Sequence, residues 1–295
     1  MSGIKKHRYY LILIIFIFIF FFSANKSYSF DSKRAYEYLK TQCGFGYRFP
    51  PNTAHEKCGD FIESILKKND YSVSIQQFFF DNKKFFNIIG TKNNNAKDWI
   101  LLGAHWDTRP QADKDPNKSN LKKPVTGAND GASGVAVLLE LANYLNKVKY
   151  KKHNVILVFF DAEDYGPGTE RMFLGSKYLK NNFYLPAINY AIVIDMIGDK
   201  DLNVHPEYNY LSYGGKFAEK AYKIANNIYP ANFSTEPKYN VMDDHIQLME
   251  LNIPTVLFID FDYPYWHTIK DTPDKCSPSS LNKMGCVLFN IINQI

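Results

Sequence analysis

Four short apolar runs constrain the fold of this 295-residue chain more than any other feature. Each run is almost continuously hydrophobic, as expected of a β-strand that is covered on both faces. Segments with helical spacing of apolar residues separate the runs, and strands that alternate with helices indicate an α/β protein. We therefore predict a three-layer α/β/α sandwich around a mixed, mostly parallel sheet. The runs are DWILLGA (98–104), NVILVFF (154–160), YAIVID (190–195) and PTVLFI (254–259).

The first 29 residues have the layout of a secretory signal peptide. MSGIKKHR is basic, YYLILIIFIFIFFF (9–22) is apolar, and SANKSYS is small and polar before Phe30. This layout predicts a signal peptide over 1–29, one domain over 30–295, and export to the periplasm or the medium. An uncleaved membrane anchor is the alternative, although a bilayer span needs about 20 residues and this run is shorter.

Charge and cysteine content exclude several classes of protein. Removing 1–29 leaves 35 − 4 = 31 basic residues against 30 acidic ones. No basic stripe remains, so we expect no nucleic-acid partner, and membrane contact only through the N-terminal segment. The absence of a C-x-x-C motif excludes a zinc ribbon. In an exported protein Cys43–Cys58 and Cys276–Cys286 could form disulfides, and free buried thiols are the alternative.

Polar residues follow the apolar runs at the point where each run ends. AHWD follows the first run, DAED follows the second, and Asp195 ends the third. Ligands of open α/β sheets bind at the carboxyl ends of the strands, so these side chains are expected to converge. With residues from two loops, the candidate site residues are His105, Asp107, Asp130, Glu163, Asp164, Asp195 and His267.

The stretch FFDAEDYG places three carboxylates, Asp161, Glu163 and Asp164, within four positions. Like charges this close raise one another's pKa unless a cation lies among them. Imidazole and carboxylate together are ligands of catalytic zinc, so a metal ion is the expected cation. One of the two neighbours Glu163 and Asp164 would bind it, and the other would transfer protons. Asp161 is expected to bond backbone amides. His55 has no acidic companion at ligand spacing in the sequence and is expected to be a surface or internally satisfied residue.

Several motifs occur in the order and spacing of a known enzyme family. The motifs are GAHWDTRP, GANDGASGVAVLLELA, FFDAEDYG, FLGSKYL, IDMIG, DDHI and PYWHT. They resemble the M28-like zinc peptidases, and most closely the bacterial glutaminyl-peptide cyclotransferases, over about residues 40 to 290. The resemblance implies the sandwich fold of M28 peptidases. It also implies an enzyme that converts N-terminal glutaminyl residues of peptides or proteins to pyroglutamyl and releases ammonia.

The resemblance also implies roles for individual residues. Asp130, Asp164 and His267 would bind one zinc ion, and Glu163 would be the general acid and base. Asp195 would assist through a hydrogen-bond relay with Asp243, and Trp266 would line the substrate pocket. An N-cap role is the alternative for Asp243 or Asp244, and simple packing is the alternative for Trp266. Leu257 replaces a residue that is commonly polar in the relatives, which leaves the relay open.

Two other functions remain open. A dinuclear zinc aminopeptidase of the same fold would use all five ligand residues His105, Asp130, Asp164, Asp195 and His267. The ligand list therefore does not exclude hydrolysis, and a structural role of His105 and Asp107 is equally open. DDHI and PYWHT favour the cyclotransferase by resemblance alone. The third alternative is a non-catalytic exported binding protein, against which the intact ligands and Glu163 argue.

Overall fold

The computed structural model describes residues 29–295. Apart from Ser29, the predicted signal peptide falls outside this range and stays a prediction. Among the described residues, none of the helices combines the length and the apolar character that a membrane crossing requires.

Helices and strands alternate along the described chain, as the sequence predicts. The helices are α1 (Ser32–Phe45), α2 (Thr53–Lys68), α3 (Ala132–Lys147), α4 (Leu174–Asn181), α5 (Tyr210–Ile228), α6 (His245–Met249) and α7 (Pro278–Gln294). The strands are β1 (Ser72–Phe80), β2 (Lys83–Lys92), β3 (Trp99–His105), β4 (Asn154–Phe160), β5 (Tyr190–Asp195) and β6 (Thr255–Ile259).

The strands form one sheet in the order β1-β2-β4-β3-β5-β6. β4, β3, β5 and β6 are parallel, whereas β1 and β2 form an antiparallel hairpin at one edge. The register pairs His105 with Phe160, and Asp195 with Ile259. The parallel strands therefore end close together at the same edge of the sheet. The predicted mixed α/β sandwich is confirmed.

Side chains of the central strands alternate between two buried clusters, which explains their continuous hydrophobicity. Ile100 and Leu102 of β3 pack with α1, α2, α3, α5 and α7 on one face of the sheet. Leu101 lies on the other face, where α4 and α6 contact the sheet. Both faces are covered, so polar groups are displaced to the strand ends.

All four cysteines are free thiols in the structure. Cys58 and Cys276 are buried, whereas Cys43 and Cys286 are half-buried. This state agrees with the free-thiol alternative rather than with the two proposed pairings.

Helix α3 packs closely on the sheet through Gly134. A Cβ at this position would lie 2.8 Å from the Ile194 carbonyl oxygen and 2.9 Å from the Ala104 Cβ. Backbone cannot move aside as a flexible side chain can. Gly134 therefore sets the depth at which α3 lies, and the loop that precedes α3 carries Asp130.

We expect Gly134→Ala to lower the free energy of unfolding by about 1–3 kcal/mol, the range for overpacking a close contact. Urea denaturation followed by circular dichroism measures this change. Gly44→Ala is the matched control, because Gly44 also lies in a helix and a Cβ there meets nothing within 4 Å. Equal stabilities of the two variants would contradict the packing argument.

Candidate functional site

The predicted site residues meet at the carboxyl edge of the parallel strands. His105 is the last residue of β3, and Asp195 is the last residue of β5. The DAED segment follows β4 directly. Asp130 comes from the loop before α3, and His267 from the loop after β6. All of these side chains are buried.

Sharp turns redirect the chain after β4, after β5 and in the loop that carries His267. Ala162, Met196 and His267 have left-handed backbone conformations, with φ of 54°, 47° and 54°. Such conformations are uncommon for residues other than glycine and must be held by their surroundings. The Leu174 N–H donates to the Ala162 carbonyl oxygen at 3.0 Å, so the start of α4 fixes the DAED turn.

Asp130, Asp164 and His267 form a group with the geometry of a metal site. One ligand atom from each lies within 4.8 Å of the others. The His267 Nε2 atom is 3.6 Å from Asp130 Oδ2 and 3.4 Å from Asp164 Oδ1. Asp130 Oδ2 and Asp164 Oδ2 are buried without a hydrogen-bond partner in the described part of the chain. Buried carboxylate oxygens without partners are unfavourable unless a cation compensates them, so these residues fit a metal ion.

A second group, His105, Asp130 and Asp195, shares Asp130 with the first. The His105 Nε2 atom lies 3.1 Å from both Asp130 Oδ1 and Asp195 Oδ1. Although burial opposes protonation of His105, the carboxylates of Asp195, Asp107 and Asp130 raise its pKa well above the usual value. The geometry thus allows either a hydrogen-bonded imidazole or a second metal ligand at His105.

Asp107 orients the DAED segment rather than joining either group. Its Oδ1 accepts the Glu163 N–H at 3.1 Å, and its Oδ2 accepts the Asp164 N–H at 3.0 Å. Its Oδ1 also lies 3.2 Å from His105 Nδ1. One buried carboxylate therefore fixes the neighbouring acids and the imidazole together.

Glu163 belongs to neither group of potential metal ligands. Its Oε2 lies 3.8 Å from His105 Nδ1. Burial, together with repulsion from Asp164 and Asp243, raises the pKa of Glu163 well above its usual value. A carboxyl group with a raised pKa beside a metal site is suited to accept and return a proton.

A cavity of about 210 Å³ opens onto these residues. Asp195, Asp243 and Trp266 all line it, and the indole of Trp266 lies over the His267 ring with centroids 4.0 Å apart. Trp266 is therefore at the pocket wall. Burial raises the pKa of Asp195 to about 7 and raises that of Asp243.

The relay between Asp195 and Asp243 stays a prediction. Asp195 Oδ1 accepts the Met196 N–H at 2.7 Å and contacts His105, and no hydrogen bond joins Asp195 to Asp243 in residues 29–295. Leu257 packs in the apolar cluster beneath the cavity. Asp244 occupies the N-cap position of α6, but its side chain makes no capping hydrogen bond.

The structure reveals a pair of charged residues that sequence reasoning missed, Arg109 and Asp113, which together are called the clamp here. The Arg109 guanidinium donates to Asp164 Oδ1 through Nη1, and to both oxygens of Asp113 at 2.6 and 2.9 Å. Asp113 Oδ1 in turn lies 3.4 Å from His267 Nδ1. Although burial opposes it, Asp164 and Asp113 raise the pKa of His267 to about 9. The clamp connects two potential metal ligands, and its only sequence signal is the charged segment after AHWD.

Asp271 is a second buried acid that sequence reasoning missed. It accepts the Asn129 N–H at 2.8 Å and the Asp130 N–H at 3.1 Å, and the Tyr263 hydroxyl donates to it at 2.7 Å. These bonds hold the loop that carries Asp130. Its position four residues after His267 is the only signal in the sequence.

Asp161 has the structural role that the sequence predicts, but its partner was unexpected. Its Oδ2 accepts the Phe86 N–H at 2.7 Å and lies 2.7 Å from His55 Nε2. His55 is thus internally satisfied, which is one of the two predicted alternatives, because α2 brings it to an acid 106 positions away. Periodicity in one segment does not reveal such a pair.

Comparison with known proteins agrees with this geometry. The family model of peptidase family M28 matches residues 87–292. The chain belongs to peptidase family M28.

Solved structures resemble this M28 chain over most of its length. A glutaminyl cyclase of Bacteroides thetaiotaomicron bound to N-acetylhistamine is 32% identical, with a TM-score of 0.85 over 90% of this chain and 99% of that chain. A Zn-dependent exopeptidase from Parabacteroides distasonis is 31% identical, with a TM-score of 0.86 and the same coverage. The resemblance to bacterial glutaminyl cyclases is confirmed.

Curated relatives of the M28 chain are more distant. A glutaminyl-peptide cyclotransferase of Gloydius blomhoffii is 26% identical over 249 residues, which is 70% of this chain. The chain spans about 64% of the length of the first curated relatives that it matches.

The clamp of this M28 chain generates a testable prediction. We expect Asp113→Asn to weaken zinc binding by about 10–100-fold, because groups that orient metal-binding histidines typically contribute that much. Competition of the apoprotein with a chromogenic zinc chelator measures the affinity. Asp60→Asn is the control, since Asp60 is exposed on α2. An unchanged affinity in Asp113→Asn would show that the contact to His267 does not support the metal site.

Proposed function

We propose that the chain is a zinc-dependent glutaminyl-peptide cyclotransferase. Such an enzyme converts an N-terminal glutaminyl residue of a peptide or protein to pyroglutamyl and releases ammonia. The observation that carries the proposal is the similarity, at a TM-score of 0.85 and 32% identity, to a chain named glutaminyl cyclase. Glu163 beside the Asp130–Asp164–His267 group supplies the chemical support.

One zinc ion held by Asp130, Asp164 and His267 is the proposed cofactor. Bound there, zinc supplies a Lewis acid that polarises the γ-amide carbonyl of the substrate. Three protein ligands leave a coordination position for substrate, as in catalytic zinc sites generally. The partnerless oxygens of Asp130 and Asp164 support this assignment.

Glu163 carries the proton transfers in the proposed reaction. The α-amine nitrogen of the substrate attacks its own γ-amide carbonyl carbon, and a C–N bond closes the lactam ring. Glu163 accepts a proton from the amine and returns it to the departing nitrogen, which leaves as ammonia. Glu163 lines the same cavity as Asp130, Asp164 and His267, so its carboxylate is available for both halves of this exchange.

The buried cavity contributes orientation. Trp266 and the neighbouring apolar side chains restrict the substrate, so that its amine and amide approach each other in one geometry. Oriented intramolecular reactions gain greatly from the entropy that binding has already removed. Asp195 and Asp243 line the same cavity and would stabilise the protonated amine or assist its deprotonation.

A dinuclear zinc aminopeptidase is the second candidate function. The group His105, Asp130 and Asp195 would hold a second ion, with Asp130 shared between the two ions. The structural neighbour named Zn-dependent exopeptidase supports this candidate at 31% identity. Two metal ions would then activate a water molecule, with Glu163 as the base.

Substitutions of Glu163 and Asp164 separate the role in proton transfer from the role in metal binding. Glu163→Gln should leave zinc content near that of the wild type and lower the cyclisation rate by about 10²–10⁴, the usual range for general acid–base catalysis. Asp164→Ala should lose both zinc and activity, because a three-ligand site has no spare ligand. Metal analysis and ammonia release from Gln-peptides measure the two properties.

The outcome separates the two candidate enzymes. Wild-type cyclisation by Glu163→Gln would contradict the assigned roles within DAED. Anilide release from Leu-anilide without ammonia release from Gln-peptides would identify an aminopeptidase. Two zinc ions per chain would then be expected, with His105 and Asp195 as additional ligands.

We also propose that the chain is exported after removal of residues 1–29. The basic, apolar and small-residue order of this segment supports the proposal. N-terminal sequencing of the protein from expressing cells should find Phe30 or a near neighbour as the first residue. An intact Met1 in the membrane fraction would support the uncleaved anchor instead.

A further inference from the structure

A groove of about 440 Å³ continues from the catalytic cavity across the surface. It lies between the segment from Thr169 to Lys177 and helix α6. Thr169, Phe173, Met242 and Asp243 line both the cavity and the groove, so the two spaces are adjacent. A peptide chain that leaves the cavity on this side enters the groove.

The catalytic cavity is too small for more than the end of a peptide. Its volume of about 210 Å³ lies below the roughly 300–1,000 Å³ of sites that enclose drug-sized ligands. An N-terminal residue therefore fills the cavity, and the residues after it must lie outside. The groove is the neighbouring space that these residues would occupy.

The walls of the groove are mainly apolar. Phe173 is buried, Ile246 is half-buried, and Met242 is 60% exposed at the boundary with the cavity. The ammonium group of Lys177 donates to the Thr169 and Met172 carbonyl oxygens at 2.7 and 2.8 Å. Its charge is thus directed at the protein's own backbone. Glu170 and Asp243 also line the groove, so its mainly apolar walls carry two acidic groups.

Gln247 provides a polar group in this apolar setting. Its side chain lines the groove and is only 7% exposed, and its Oε1 has no hydrogen-bond partner within residues 29–295. A buried amide oxygen without a partner is unfavourable, and a main-chain N–H of a peptide can donate the missing hydrogen bond. An extended peptide would donate a main-chain N–H to the Gln247 side-chain oxygen, while the side chain of its second residue covers Ile246.

We propose that this groove binds the second residue of a peptide substrate and selects a large apolar side chain there. This proposal rests on the proposed function in one respect, which is that the cavity receives the N-terminus of a peptide. Phe173, Met242 and Ile246 contact the side chain, and Gln247 pairs with the main chain. Ile246 is thereby a specificity-determining residue.

Equilibrium binding to the zinc-loaded Glu163→Gln variant tests the proposal without turnover. Calorimetry would compare the tripeptide amides Gln-Leu-Ala, Gln-Gly-Ala and Gln-Asp-Ala. We expect the Leu peptide to bind about tenfold more tightly than the Gly peptide, a discrimination typical of apolar pockets. The Asp peptide should bind more weakly than the Gly peptide, because its carboxylate would be desolvated beside the acidic groups of Glu170 and Asp243.

Substitutions in the same background locate the selectivity. Ile246→Asp should remove the preference for Leu over Gly, and Ile246→Ala should reduce it to about threefold. Leu211→Asp is the matched control, since Leu211 is a 49% exposed aliphatic residue on α5 that does not line the groove, and it should keep the tenfold ratio. Circular dichroism shows whether Ile246→Asp folds. If it does not fold, the loss of preference in Ile246→Ala decides the test.

Failure of the groove and failure of the proposed function give different results. Equal affinities for the three peptides, or no peptide binding at all, would overturn the groove. The same peptides with N-terminal Leu provide the second comparison. If these bind with the tenfold Leu-over-Gly preference at position two, while Gln-peptides do not bind, the groove stands and the cyclotransferase proposal fails.

Discussion

The neutralisation of buried carboxylates is the constraint on which the rest of this structure depends. Acidic side chains accumulate at one sheet edge, where burial raises the pKa of Glu163, Asp164 and Asp195. An ionised carboxylate in such a setting is strongly unfavourable unless hydrogen bonds or cations compensate it. His105, His267 and Arg109 supply part of this compensation within the described chain. Among the described residues, Asp130 and Asp164, which can bind a metal ion, each keep one buried oxygen without a partner, and Asp161 and Asp244 also keep unpartnered oxygens.

The acids at this edge differ in what their oxygens contact. Asp107, Asp161 and Asp271 accept backbone N–H groups, and these bonds hold the loops in position. Asp130 and Asp164 keep a buried oxygen without a partner in the described chain and belong to a group that can hold a metal ion, whereas Asp161 keeps such an oxygen outside both groups. Structural carboxylates therefore fix the strand-end turns, and those turns direct the functional carboxylates toward one point. The left-handed conformation of Ala162 is tolerated because its surroundings hold it on both sides.

Apolar runs and strand-end polar residues were sufficient to predict the mixed sheet and most of the candidate site, because both are local patterns. Arg109, Asp113 and Asp271 could not be found in this way, since their roles depend on contacts between distant loops. The pairing of His55 with Asp161 shows the same limit across 106 positions. The number of metal ions could not be predicted either, because His105 and Asp195 are placed suitably for hydrogen bonding and for ligation alike.

The ion pair between Arg109 and Asp164 has a consequence for ion selectivity. With one oxygen of Asp164 engaged by a guanidinium, that carboxylate has a single oxygen left to offer an ion. Calcium takes about 6–8 oxygen ligands and is commonly bound by bidentate carboxylates. A compact set of one imidazole and two single oxygens would suit the low coordination number of zinc, but would leave calcium short of protein ligands. An arginine outside the ligand set would thereby favour zinc over calcium.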